Sequence, residues 1–158
     1  AKVREGMERR FKDEAERDLT EALMSQFIDG NPFELPPSLV ERQIDARLMQ
    51  TLGRIPPEQA RRMGLNRERL REDAREGSIR QVRGALLLDA LAAQEKIEVA
   101  DADVEKEIER LAEINHMPVD RVRAQFTGDR REDLRSRVRS EKALNWLKAH
   151  ASLTEKSA

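Results

Sequence analysis

The chain has 158 residues, 30 Lys+Arg against 31 Asp+Glu, a net charge of −1, and 39% charged beside 38% hydrophobic residues. That length suffices for one sizeable domain, and the absence of cysteine excludes a disulfide scaffold, a thiolate metal site and cysteine catalysis. No apolar run approaches the roughly 20 residues of a membrane span, and the charged helical pattern that starts at Ala1 reads as a segment of a longer protein with no signal peptide.

Ala, Leu, Glu, Arg, Gln and Lys dominate, and aromatics make up only 3%. These are strong helix formers, so the predicted class is all-α. The first helix runs from about Lys2 to Asp29. Val3, Met7, Phe11, Ala15, Leu19, Leu23 and Phe27 recur every four residues in one narrow apolar stripe. Glu5–Arg9, Glu8–Lys12 and Asp13–Arg17 place opposite charges four apart beside it. Gly30 is expected to end the helix as a left-handed cap. A repeat of four drifts around a 3.6-residue helix, so a partner of the whole stripe must wrap around it.

The prolines of the next stretch make it extended, and Ser38 with Glu41 reads as a capping box for a helix over Leu39–Leu52. Its apolar side carries Val40, Ile44 and Leu48. Gly53 and Pro56-Pro57 break it, and one short turn over Pro57–Arg62 closes at Gly64. Asn66 is the cap of a long helix to about Lys96. The first half of that helix is charged and thinly apolar (Leu70, Ala74, Gly77, Ser78); its second half, from Val82 to Ala93, is apolar nearly all round.

Ile97–Val99 forms an extended link. Helices then follow over Asp101–Asn115 (Val104, Ile108, Leu111), from Pro118 (Val119, Val122, Phe126), and from Asp129, the expected cap, to about Ala151 (Leu134, Val138, Leu144, Leu147). The tail from Thr154 to Ala158 should fray. A 28-residue helix spans about 42 Å, whereas a compact chain of this length has a radius of gyration of about 15 Å. The expected architecture is therefore an elongated multi-helix domain whose long helices form protruding arms.

A search for chemistry returns little. The seven glycines are scattered and form no phosphate loop. His116 and His150 fall near helix C-termini, where dipole compensation accounts for them. Asp101, Asp103 and Glu105 resemble the start of a calcium loop, but Lys106 replaces the required glycine and Ala112 the bidentate acid. No site for a cofactor or metal follows, and no enzyme activity. The arginines at 121, 123, 130, 131, 135, 137 and 139 include an i, i+4, i+8 stripe that could follow a phosphate backbone. Interleaved Asp120, Asp129, Glu132 and Asp133 favour a solvated helix face instead. Met7, Met24, Met49, Met63 and Met117 are spread over helix ends and loops, and Met49 and Met63 are expected at the surface.

Taken in order, three segments resemble the C-terminal domain of the trigger factor family, the bacterial ribosome-associated chaperones. They are Asn31-Pro32-Phe33-Glu34-Leu35-Pro36-Pro37-Ser38-Leu39-Val40-Glu41-Arg42-Gln43-Ile44, the run from Gln81 through Glu95 to Val104, and the ending Trp146–Lys156. The resemblance covers nearly the whole chain. Two departures stand out: Ala100 replaces the usual Ser or Thr cap, leaving that duty to Asp101, and Gly53–Leu65 fits no pattern. The resemblance implies a first arm helix and junction over 1–35, a second arm helix and loop over 36–65, and a helical body over 66–158. It further implies a cytoplasmic, ATP-independent chaperone cradle for unfolded or nascent polypeptides. The ribosome-binding and proline-isomerase modules would lie upstream, so no residue here inherits them. Position alone then selects Met24, Phe27, Met49, Leu52, Ile55 and Met63 as client contacts, and a homodimer is a further expectation. The competing readings are a helical adaptor that docks a folded partner or nucleic acid through the Arg121–Arg139 face, and a periplasmic SurA-like chaperone, against which the Thr154-Glu155-Lys156 ending speaks.

Overall fold

A computed structural model describes residues 2–53, 55 and 57–151. Among them are seven helices and no strand: α1 (Lys2–Asp29), α2 (Pro37–Leu52), α3 (Pro57–Arg62), α4 (Arg67–Gln94), α5 (Asp101–Ile114), α6 (Val119–Arg123) and α7 (Asp129–His150). The all-α class expected from composition is therefore the fold found. The expected tail at Thr154–Ala158, the side chain of Val3 and the Glu5–Arg9 and Glu8–Lys12 pairs lie outside the described residues. The chain forms two compact units, Ala1–Leu87 and Leu88–Ala158, with the division inside α4.

In the first unit, Val40, Ile44 and Leu48 follow one another at the helical spacing of four and are all buried. They gather Leu35, Leu52, Leu70, Ala74 and Ile79 around them, so α2 packs on the first half of α4. Burying a residue such as Ile44 completely contributes about 1.5–3 kcal/mol, and several of them hold the pair. Charge reinforces the seam: Arg71 donates to Glu41 at 2.6 Å and also pairs with Asp45, and Arg75 reaches Glu41 at 2.9 Å.

That use of Glu41 explains why the expected capping box does not form. The helix starts two residues earlier, at Pro37, with Pro36 as its unbonded cap, and Glu41 turns to α4 instead. Pro37 suits the first turn because its missing N–H has no partner there in any case. Asn66 caps α4 as expected, its Oδ1 accepting from the backbone N–H groups of Glu68 and Arg69 at 2.9 and 3.1 Å. Gly64 closes the α3 turn with a φ of +68°. Gly30, however, is not left-handed. The end of α1 is capped by the Asn31 side-chain amide, which donates to the Phe27 carbonyl at 2.8 Å. The proline that follows Asn31 then stops the helix.

The second unit is built on α5. Val104, Ile108, Ala112, Val122 and Leu134 are buried together, with Val99, Leu111, Met117, Val119 and Phe126 packed around them. The helix ends of α4 and α5 share one device. Lys96 and His116 take positive φ, and the residue after each donates five positions back in the Schellman pattern, Ile97 to the Ala92 carbonyl and Met117 to that of Ala112. At the other end of α5 the expected cap moves: Ala100 is the capping position, and Asp103, not Asp101, accepts from its N–H at 2.9 Å. Gly128 rather than Asp129 precedes the first turn of α7. Along α7 the buried positions are Leu134, Val138 and Ala143, while Leu144 and Leu147 are only half-buried.

Candidate interaction surface

Among the described residues of the first unit the most exposed large apolar side chains are Met49 (69%), Phe11 (66%), Met63 (59%) and Met7 (53%), with Leu19 and Phe33 less so. Phe11, Met7 and Leu19 belong to the four-residue stripe of α1. Every residue from 10 to 19 is exposed, and burial along α1 begins only at its C-terminal turns, where Leu23, Met24 and Phe27 are half-buried and Ile28 is buried. A globular helix keeps its apolar stripe against a partner. Over its outer turns α1 keeps its stripe in solvent, amid charges of both signs.

The six residues selected by position are placed unequally. Met49 and Met63 are at the surface, as expected. Leu52 packs on the Val40–Ile44–Leu48 cluster, and Ile55 is half-buried in the loop after α2. Phe27 is half-buried. Met24 faces α4, its Cε lying beside Gly84. Met7, Phe11 and Leu19 are not among those six but continue the same stripe to its exposed end, and the four-residue repeat of α1 is the sequence signal that points to them.

The basic stretch of the second unit resolves differently. Arg131 donates to Glu105 at 2.9 Å, Arg135 to Asp101 at 2.7 Å and to the Val99 carbonyl at 3.1 Å, and Arg123 to Glu105 at 2.9 Å and Asp120 at 2.6 Å. Lys142 adds Asp103 at 2.6 Å and the Glu98 carbonyl at 3.0 Å. The acidic first turn of α5 and the arginine stripe of α7 are therefore partners across one helix seam. Arg131 and Arg135 of the stripe are thus half-buried in ion pairs and form no free cationic track, while Arg121, Arg130 and Arg137 lie exposed, as a solvated face requires. Arg123, then Arg131, holds the Glu105 carboxyl below the usual carboxylate range; Arg135 does the same for Asp101, and Lys142 with the Ala100 N–H for Asp103. An open cleft of about 370 Å³ in this unit is lined by Asp89, Glu107, Arg110, Arg137 and Glu141 among others. Glu107 is bidentate to Arg110 at 2.6 Å, so two of the charges lining this cleft neutralise each other. His150 stacks on Trp146 with ring centroids 3.9 Å apart, at the end of α7 as its sequence position implied.

The described residues thus define an all-α, multi-helix domain that leaves an apolar helix stripe in solvent, a feature that marks interaction surfaces. The family model described as "Bacterial trigger factor protein (TF) C-terminus" matches residues 1–149, and the chain belongs to that family. Its relatives include the trigger factors of Anaeromyxobacter sp. strain Fw109-5, 42% identical over 97% of this chain and 36% of that protein, and of Anaeromyxobacter dehalogenans, 41% identical over 98% of this chain and 37% of that protein. The chain thus spans a little over a third of the curated relatives it matches. A solved structure of domains of trigger factor from Thermotoga maritima shares the fold, with a TM-score of 0.66 at 24% identity over 86% of this chain and 83% of that one.

Proposed function

We propose that this chain is the polypeptide-holding part of an ATP-independent, cytoplasmic chaperone, and that unfolded or nascent chains bind to its uncovered apolar side chains. The observation that carries this reading is the solvent-facing stripe Met7–Phe11–Leu19 on α1, with Met49 and Met63 elsewhere on the same unit. Phe27, Leu52 and Ile55, half-buried, would supply the edges of that surface. Several small apolar contacts, separated by charge, bind an unfolded segment weakly and release it readily, while the charged surroundings keep the loaded complex in solution. Methionine suits the task because its flexible, polarizable side chain adapts to many sequences. Proline isomerisation and ribosome docking are assigned to no residue of this chain.

The test is suppression of aggregation of a chemically denatured client diluted into buffer without ATP. Replacing Met7 and Phe11 together by Ser should reduce suppression severalfold with unchanged helicity, since both side chains are exposed in the free protein. Full activity in that double variant refutes the reading. Raising salt should leave client capture largely intact, because the contacts are apolar; a steep loss would point to phosphate-type binding instead.

A further inference from the structure

One turn of α4 holds the whole inner end of α1. A methyl group placed on Gly84 would lie 3.2 Å from Met24 Cε and 3.3 Å from Ile28 Cδ1, so the two side chains, four apart on α1, rest in the notch that the missing Cβ leaves. One turn earlier, Arg80 Nη2 donates to Ser25 Oγ at 2.7 Å and Nη1 to Asp29 Oδ1 at 3.4 Å, and Ser25 donates to Asp29 Oδ2 at 3.3 Å. Thus an apolar i, i+4 pair of α1 sits on Gly84 and a polar i, i+4 pair sits on Arg80, itself four residues from Gly84. Between them Arg83 takes the chain just after α1, its guanidinium 5.9 Å from the Phe33 ring centre and 3.5 Å from the Phe33 carbonyl. Outside this seat α1 is exposed from residue 10 to 19.

We infer that Gly84 and Arg80 are positioning residues for the α1 stripe: they touch no client, but they set the direction in which Met7, Phe11 and Leu19 are held. The inference rests on the proposed polypeptide-binding role of that stripe. A helix held at one end transmits any tilt of its seat to its far end. Over the roughly 26 Å from Met24 to Met7, at 1.5 Å per residue, a tilt of about 20° displaces the outer side chains by about 9 Å. Gly84 matters because even a Cβ in its place would press on Met24 Cε and Ile28 Cδ1, and a branched side chain would push the two helices apart. Met24 accordingly acts through the seat.

The experiment places spin labels at Leu19 and at the exposed Asp73 of the described first unit and compares the wild-type chain with Gly84→Val and Arg80→Ala. A narrow distance distribution is expected for the wild type, broadened or displaced in Gly84→Val and partly so in Arg80→Ala, with helicity and the urea midpoint of the α2–α4 pair retained. The charge-swapped pair Arg80→Asp with Asp29→Arg should restore part of the order. Aggregation suppression should fall about threefold as the stripe loses its preorganised placement. Unchanged distances in both variants overturn the inference. So does a shifted α1 with undiminished suppression, provided that Phe11→Ser still impairs it. If Phe11→Ser has no effect, it is the polypeptide-binding role that fails, whatever the distances show. Should Gly84→Val not fold, Gly84→Ala, which asks its neighbours to move only a few tenths of an ångström, carries the same test with a smaller displacement.

Discussion

Two glycines on α4 make a controlled comparison, and Gly77→Ala is the more informative change. In a helix interior Gly is about 1 kcal/mol less favourable than Ala. A Cβ at Gly77 would come 2.6 Å from one Nη of Arg47. That atom is the far end of a flexible, exposed side chain, which need only swing outward by about 1 Å to restore ordinary contact, at a cost of a few tenths of a kcal/mol on the scale of a rotamer adjustment. The net expectation is a stabilisation of about 0.5–1 kcal/mol, read as a higher urea midpoint at unchanged m-value and a melting temperature higher by about 1–4 °C. Gly84→Ala offers the same helix-propensity gain, but its neighbours are Met24 and the buried Ile28. Displacing packed side chains costs about 1–3 kcal/mol, so the gain there should vanish or reverse. A loss of stability in Gly77→Ala, or equal gains at both positions, would refute the claim that the type of neighbour rather than its distance decides the sign. Adding Arg47→Ala to Gly77→Ala isolates the coupling in a double-mutant cycle.

Other outcomes follow from the same structure. Ser78 is fully buried and its Oγ finds no hydrogen-bond partner among the described residues, so Ser78→Ala should stabilise the first unit by about 1 kcal/mol in urea unfolding, through relief of an unmet polar group and better helix propensity. Ile108→Ala, at a side chain with no exposure in the α5 core, should cost about 2–5 kcal/mol and speed amide exchange in the second unit. Asn66→Ala removes a cap that accepts two N–H donors and should cost about 0.5–2 kcal/mol. The seam of α5 with α7 should also depend on pH. Asp101, Asp103 and Glu105 are held below their ordinary values of 3.8 and 4.5. Their contribution is therefore complete above those values and is lost as the pH falls through the lower folded-state ones. Acid titration followed by circular dichroism should show Glu105→Gln losing part of that dependence, and a flat response in the unaltered chain would contradict it.

The helices themselves were legible in the sequence because each carries its own instruction. Val40, Ile44 and Leu48 on one face of α2, or Val104 and Ile108 on α5, follow a period that only a helix turns to one side, and Asn66 and Gly64 act within their own turns. What misled was any residue with two uses. Glu41 could cap α2 or pair with Arg71 and Arg75, and Asp101 could cap α5 or pair with Arg135; local spacing is the same in both cases. Likewise the arginine stripe of α7 and the acidic turn of α5 lie some 30 residues apart, so neither discloses the other until the helices pack. Periodicity also established that α1 bears an apolar stripe, but not how much of it a partner covers. That division, covered at Met24 and Ile28 and open at Met7 and Phe11, depends on where α4 offers a notch. Local backbone preference and period are written residue by residue, whereas burial and ion pairing are properties of two surfaces and exist only once the fold brings them together.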